Sequence, residues 1–391
     1  MPAQGGILSN STSTFDVAIV GGGVIGLAVG WRAAQRGLRV TVLERGALGH
    51  GTSRVAAGMI APISEARPTE QPLLALNLAS TRLYPAFVSE LIDASRSDPG
   101  YLACGTITAA RDPDEADALD RELAMRRSLG LPVQRLRASE ARRLEPALAP
   151  GLRLALEVPD DHAIDPRKLT EALGIAASQA GAELRPGTEV AGVAVADGRV
   201  SGVRLADGSA LSAENVVVAA GVWSGQLTGL PEEARVPIRP VKGQILRLRD
   251  PAGPGLLSRA LRMQGAGYIV PRGDGRYVLG ATVEERGFDT TVTAGPLFEL
   301  LRDAIELLPA LSELVIDEFS AGLRPGTPDN GPALGPAATP GLQWAAGHYR
   351  HGIMLTPITA EIVVGALLGE QPSELGSAFS PTRFAKLPVG A

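Results

Sequence analysis

A single cysteine, Cys104, denies this chain both a disulfide framework and a thiolate metal cluster. Histidines number only four (His50, His162, His348 and His351). None stands at an HExxH or comparable carboxylate–histidine spacing, so metal catalysis has no ligand set. No GxSxG elbow supports a hydrolase, and no Walker lysine anchors phosphoryl transfer. A formal charge of −5 supplies no basic field for nucleic acid or for an anionic membrane surface. The apolar run from Val17 to Trp31 is too short, and too broken by glycine, to span a bilayer. Residues 1–14 lack the basic start and apolar core of a signal peptide and read as a disordered tail. A cytoplasmic protein is expected, with neither a nucleic-acid nor a membrane partner. By elimination, its chemistry belongs to a bound cofactor.

What the sequence does have is a glycine turn in a telling place. Asp16 to Val20 is a short apolar strand that runs into Gly21-Gly22-Gly23-Val24-Ile25-Gly26, and a helical stretch follows. Gly21 allows the tight turn, Gly23 lets the backbone approach a pyrophosphate, and Gly26 lets helix and strand pack closely. A second strand ends on Glu44, eighteen residues after Gly26, where a carboxylate can take the hydroxyls of an adenosine ribose. The helix N-terminus offers free N–H groups to the phosphates.

Further on, Gly51 to Ile60 is a loop of small residues. It suits either contact with a bulky planar ligand or close packing of two elements. A helical run covers 71–95, and residues 112–130 and 138–144 read as a solvated helical excursion. Asp165-Pro166 opens a helix, with Asp165 as cap and Pro166 at its first position. Segments 188–196, 199–205 and 209–211 read as a small β-meander, and the run from Glu214 to Gly221 as a buried parallel strand. From 237 onward the pattern becomes antiparallel: strands at 241–249, 259–263, 267–272 and 276–283, a helix at 295–308, and a strand at 313–321. Cys104, in the strand-like run Tyr101 to Thr108, reads as a buried apolar filler.

Three segments carry polar groups suited to a site. Arg324 lies among glycines and prolines in Ser320 to Asp329, a stiff loop. It could fix a guanidinium fork for a carboxylate, or the arginine could simply order its own loop. Tyr268 sits on a strand, either reaching a substrate carboxylate or serving as a sheet aromatic. Gly347 to Met354 precedes the last helix, so its amides can point at an electron-rich ring.

Taken together, these segments resemble the glycine oxidases of the thiazole-synthesis type, within the D-amino-acid and sarcosine oxidase-like FAD-dependent amine oxidases. The resemblance runs from Phe15 to about Gly369. It rests on Val17 to Gly26 with Glu44, Ala56 to Met59, Asn215 to Gly225, Arg239 to Gln244, and the Tyr268, Arg324 and Arg350 segments. It implies an α/β, overall α+β, architecture: a Rossmann-like FAD-binding domain of glutathione-reductase type interleaved with an antiparallel-sheet substrate domain. The expected division gives 15–95, 150–236 and 322–375 to the FAD domain, 96–149 and 237–321 to the substrate domain, and 376–391 to a C-terminal tail.

The resemblance further implies noncovalent FAD, since no cysteine lies near the C-terminal glycine turn. Positions matching those that touch FAD are Gly21, Gly23, Val24, Ile25, Gly26, Glu44, Arg45, Thr52, Ser53, Ala57, Gly58, Met59, Val190 and Gly221. The C-terminal turn adds His348, Tyr349, Arg350, His351, Gly352, Ile353 and Met354. Arg324 pairs with the substrate carboxylate, Tyr268 hydrogen-bonds it, and Arg350 lies beside substrate and flavin. The implied reaction is oxidative deamination of glycine, sarcosine or a small D-amino acid by hydride transfer to flavin N5. O2 is the electron acceptor, and the imine supplies thiamine thiazole synthesis. A dehydrogenase passing electrons to a quinone is the alternative. A homo-oligomer, dimer or tetramer, is expected. One departure stands out: Ala266 occupies the place of a histidine found in some glycine oxidases.

Overall fold

The computed structural model describes residues 14–265 and 267–385. The expected N-terminal tail apart from Thr14, the last six residues of the expected C-terminal tail, and Ala266 all lie outside them.

The strand Phe15–Val20 shows why the first apolar run is continuous. Its Val17 and Ile19 face a helical layer, whereas Ala18 and Val20 face a second apolar layer on the opposite side of the sheet. A strand buried on both faces cannot alternate with polar residues. Around it, Val40–Glu44, Glu183–Pro186, Ala210–Val218 and Leu342–Ala346 pair in parallel as the core of an eight-stranded sheet. Helices Val24–Gln35, Pro166–Gln179 and Thr356–Leu367 pack together on one face, joined by the long helix Gln71–Ser95. Each fully buried aliphatic side chain there contributes roughly 1.5–3 kcal/mol.

Two glycines fix how closely helix and strand approach. Gly21 has φ +111°, which side-chain-bearing residues rarely adopt. A Cβ on Gly26 would sit 1.9 Å from the Gly21 carbonyl oxygen, so nothing larger than hydrogen fits there.

A second eight-stranded sheet lies beside the first. Its order runs Val315–Gly326, Arg239–Arg249, Arg276–Gly280, Gly267–Pro271, Ala260–Met263, Thr106–Ala110, Leu154–Val158 and Gln134–Arg137. Helix Ala294–Leu307 covers one face, burying Leu300, Ala304 and Leu307 on the core of that sheet. The chain is thus an α/β, overall α+β, protein with a Rossmann-like unit and a largely antiparallel second sheet.

The structure departs from the sequence expectations at several points. The third meander strand and the parallel strand after it are one element, Ala210–Val218. Its first half pairs antiparallel with Arg199–Leu205 and its second half parallel with Phe15–Val20. Within the second sheet, Ala260–Met263 runs parallel to Thr106–Ala110, because these strands come from remote segments and not from a hairpin. Leu154–Val158, expected in the nucleotide unit, also belongs to this sheet. Helix Pro113–Ser128 is more than a solvated excursion, since it buries Leu119, Leu123 and Arg126. Phe379 and Phe384, expected in a tail, are buried among core residues. Cys104 lies between strands and is only half-buried, and burial pushes its thiol pKa up.

A Gly26→Ala variant should be destabilised by about 1–3 kcal/mol, the usual penalty of overpacking. Chemical denaturation measures this, and an unchanged unfolding midpoint contradicts the close contact.

Candidate cofactor and substrate site

One cavity of about 870 Å³ runs from the glycine turn to the second sheet. At its first end, Gly23 caps the helix Val24–Gln35 with no side-chain cap, and the first turn carries no acidic residue. The helix N-terminus therefore keeps its partial positive charge for an anion. The Val24 amide donates to Ser53 Oγ at 3.0 Å. Glu44 ends its strand with both carboxylate oxygens anchored, accepting from the Gly22 amide at 2.8 Å and the Gly46 amide at 3.0 Å. The Arg45 guanidinium stacks 3.9 Å over the Trp223 ring. A helix terminus with no side chain on its cap residue, a glycine cradle and a strand-end carboxylate along one elongated cavity fit a dinucleotide.

The C-terminal turn forms another stretch of wall. Gly347 and Tyr349 take positive φ, and the Tyr349 amide donates to the Pro325 carbonyl at 2.8 Å, which ties the turn to the second sheet. The backbone amides of Gly352 and Ile353 find no carbonyl partner among the described residues, and both residues line the cavity. His348 Nε2 lies 2.9 Å from Thr359 Oγ1. Burial, helped by the neighbouring His351, pushes His348 down to about 3. Burial also takes His351 down to about 4, so both rings are neutral.

At the far end stand the substrate candidates. Arg324 lies within the strand Val315–Gly326, whereas a loop was expected there; the neighbouring strand Arg239–Arg249 supplies the stiffness. Its Nη1 donates to the carbonyls of Thr282 at 3.0 Å and Lys242 at 3.3 Å. Gly243 makes room for it: a Cβ there would lie 2.4 Å from Arg324 Nη2. Tyr268 lies on Gly267–Pro271, as the alternation predicts. Burial raises its phenol pKa, and the adjacent Arg324 works against that rise. Arg350 is braced by Glu70, with Nη2 donating to Oε2 at 2.6 Å, while its buried Nη1 has no protein partner among the described residues.

Of the residues matched from sequence to FAD or substrate contacts, Gly26, His351 and Met354 do not reach the cavity wall, and the other described ones do. Gly26 is turned against Gly21, and His351 lies behind the wall, 3.6 Å from Glu65. The Met354 side chain is buried in the core, and its carbonyl accepts from Ser80 Oγ at 2.6 Å. Sequence reasoning gave no role to Trp223 and Gly243, although both fall inside quoted motifs, and it passed over Glu65 and Arg262 entirely. Neither of those two stands in a local pattern that separates it from an ordinary surface charge.

A dinucleotide cradle opening onto a second, antiparallel sheet is the architecture of an FAD-dependent oxidoreductase. The chain belongs to the DAO family of FAD-dependent oxidoreductases, which it matches over residues 16–366. It is 38% identical over 375 residues to a glycine oxidase of Geobacillus kaustophilus, covering 95% of this chain and 98% of that one. It is 37% identical over 377 residues to the bifunctional protein ThiO/ThiG of Synechocystis, spanning 95% of this chain but only 54% of that longer protein. The crystal structure of glycine oxidase from Geobacillus kaustophilus superposes with a TM-score of 0.87 over 95% of this chain and 99% of that one, at 38% identity. Among the described residues, no helix is long and apolar enough to cross a membrane.

The neutral histidines carry a pH consequence. Below pH 6.5 the unfolded chain binds protons at these two rings that the folded chain refuses. Their contribution therefore erodes stability as pH falls from about 6.5 toward 4. A His348→Gln variant should lose less melting temperature between pH 7 and pH 5 than the parent. An equal or larger loss contradicts a buried neutral His348.

Proposed function

We propose that this protein oxidises glycine and other small amines bearing a carboxylate, sarcosine and small D-amino acids among them, with noncovalent FAD and O2 as acceptor. The overall conversion is glycine plus water plus O2 to glyoxylate, ammonia and hydrogen peroxide. The observation that carries this reading is the seating of Arg324 beside Tyr268, in the same cavity as the dinucleotide cradle. The similarity to glycine oxidases supports the choice of substrate.

FAD, when bound, supplies the two-electron acceptor. The glycine turn and Glu44 would hold its adenosine end, and Gly347 to Ile353 its ring. The rest falls to side chains of this protein. With Nη1 engaged by two carbonyls, Arg324 keeps its remaining N–H groups for the substrate carboxylate, a charge-assisted contact with fixed direction. The Tyr268 hydroxyl adds a hydrogen bond to the same carboxylate. Holding the carboxylate fixes where the α-C–H points, and this orientation lowers the entropic part of the barrier. Arg350, braced on Glu70, completes the wall between substrate and cofactor ends. The same reading places the protein in the cytoplasm as a homo-oligomer, with its imine product feeding thiamine thiazole synthesis.

Anaerobic addition of glycine, sarcosine, D-alanine or D-proline should bleach the yellow protein, and air should then yield peroxide in proportion to substrate consumed. Bleaching without peroxide points to a quinone-linked dehydrogenase, and no bleaching with any of the four overturns the reading. Arg324→Ala should raise the KM for glycine on the order of 100-fold, about 2.7 kcal/mol, while FAD stays bound. Unchanged kinetics in that variant remove the carboxylate role.

A further inference from the structure

A substrate with both a carboxylate and an amine presents two opposite charges, and Arg324 answers only one. We propose that Glu65 answers the other: its Oε2 receives the amino group of the substrate. This inference rests on the substrate reading given above.

Three acidic residues line the cavity among the described residues: Glu44, Glu65 and Glu189. Glu44 adjoins the glycine turn and Glu189 adjoins Val190, both at the nucleotide end. Glu65 alone stands with Arg262, Tyr268 and Arg324. Its two oxygens are not equivalent. Oε1 accepts from Arg262 Nη1 at 2.9 Å. Oε2 lies 3.6 Å from His351 Nδ1 and 3.8 Å from Arg350 Nε, both beyond hydrogen-bond reach. No hydrogen bond to it is made among the described residues, so one carboxylate oxygen retains its accepting capacity in the wall of the site.

That oxygen is also held still. The turn carrying Glu65 is clamped from behind by two buried charges, Asp161 and Arg126, at 0% and 3% exposure. Asp161 accepts from the amides of Ile63 at 3.1 Å and Ser64 at 2.7 Å. Arg126 donates Nε to the Ile63 carbonyl at 3.0 Å and Nη2 to the Ser64 carbonyl at 2.7 Å. Four hydrogen bonds thus fix the backbone N–H and C=O groups of the two residues immediately before Glu65. Arg262, which grips Oε1, is in turn in register opposite Tyr268 on the neighbouring strand. The carboxylate and the phenol are therefore referenced to one piece of sheet.

The local charge suits recognition more than proton removal. Burial by itself raises the Glu65 pKa, but the charges around it, the Arg262 guanidinium foremost, outweigh burial and hold the carboxyl below its usual range. Such a group stays ionised and attracts an ammonium or accepts an N–H, yet retains a proton poorly. Its effect is discrimination: an amine gains a charge-assisted hydrogen bond that a hydroxy acid of the same shape does not.

The test uses glycine and glycolate, which share the carboxylate and differ only in amine against hydroxyl. Both are titrated anaerobically into the FAD-loaded enzyme, and half-saturation is read from flavin absorbance. Glu65→Gln, which keeps shape and removes charge, should weaken glycine at least tenfold while glycolate stays within threefold or binds more tightly. Glu65→Asp, which keeps the charge, should retain a preference for glycine. Parallel weakening of both ligands, or an unchanged glycine response, overturns the proposal. If glycine binds the parent without bleaching it, the oxidase reading fails, whereas the glycine–glycolate difference still decides the role of Glu65.

Discussion

Everything in this molecule is referenced to the contact between Gly26 and the Gly21 carbonyl. It seats the helix Val24–Gln35 directly on the strand Phe15–Val20, and so aims the helix N-terminus at the mouth of the sheet. The same helix carries Trp31, Leu27 and Val29 into the core shared with Pro166–Gln179 and Thr356–Leu367. The position of the phosphate cradle is therefore set by core packing. A side chain at position 26 would move cradle and core together, because interiors packed at crystal density transmit displacement and do not absorb it.

The second sheet is tied to this frame by arginines that reach backbone carbonyls. Arg272 donates to the carbonyls of Ile164 at 3.0 Å and Ala57 at 2.7 Å. Arg247 donates to the Arg54 carbonyl at 2.7 Å, and Arg167 reaches back to Glu318 at 2.7 Å. Burial drives both Arg247 and Arg272 down to about 10, still well above neutral pH, so both remain charged. A carbonyl accepting from a buried guanidinium cannot drift far, since separation strands a desolvated charge. The contacts to Arg54 and Ala57 fall on one short segment, of which Val55, Ala56 and Ala57 also line the cavity. The segment, which begins within the short helix Thr52–Val55, is thus the line along which the two sheets share one site.

How much of this was legible follows from how far each signal reaches along the chain. The glycine turn, Glu44, the Asp165 cap and the strand bearing Tyr268 are local patterns, and the structure keeps them where periodicity and capping put them. The parallel pairing of Ala260–Met263 with Thr106–Ala110 joins segments about 150 residues apart, and no local pattern encodes such a partner. Arg324 was visible as a candidate but not as a strand residue, because Gly322, Pro325 and Gly326 have the composition of a loop. They serve instead as clearances within a sheet: a Cβ at 322 would press on Val55 at 3.0 Å, and one at 326 on Arg239 at 3.1 Å. Glu65 was illegible for a different reason. Its significance lies in which donors fail to reach it, and that is a property of three-dimensional surroundings alone.

The two ends of the site consequently differ in how their charges are made. At the nucleotide end backbone amides supply positive potential that cannot be removed without rebuilding the helix terminus. At the far end side chains add to it, Arg262, Arg324 and Arg350, each balanced or braced separately: Arg262 by Glu65, Arg350 by Glu70, and Arg324 by two carbonyls with no carboxylate partner among the described residues. Arg324 is thus the guanidinium of the three whose charge its hydrogen bonds leave uncompensated, and it lies on Gly243 with nothing larger beneath it. On the proposed reading, an incoming carboxylate would neutralise it without displacing an existing ion pair. Binding would then not have to repay the loss of a contact within the protein, and a ligand of only a few atoms could be held in a cavity that also accommodates a dinucleotide.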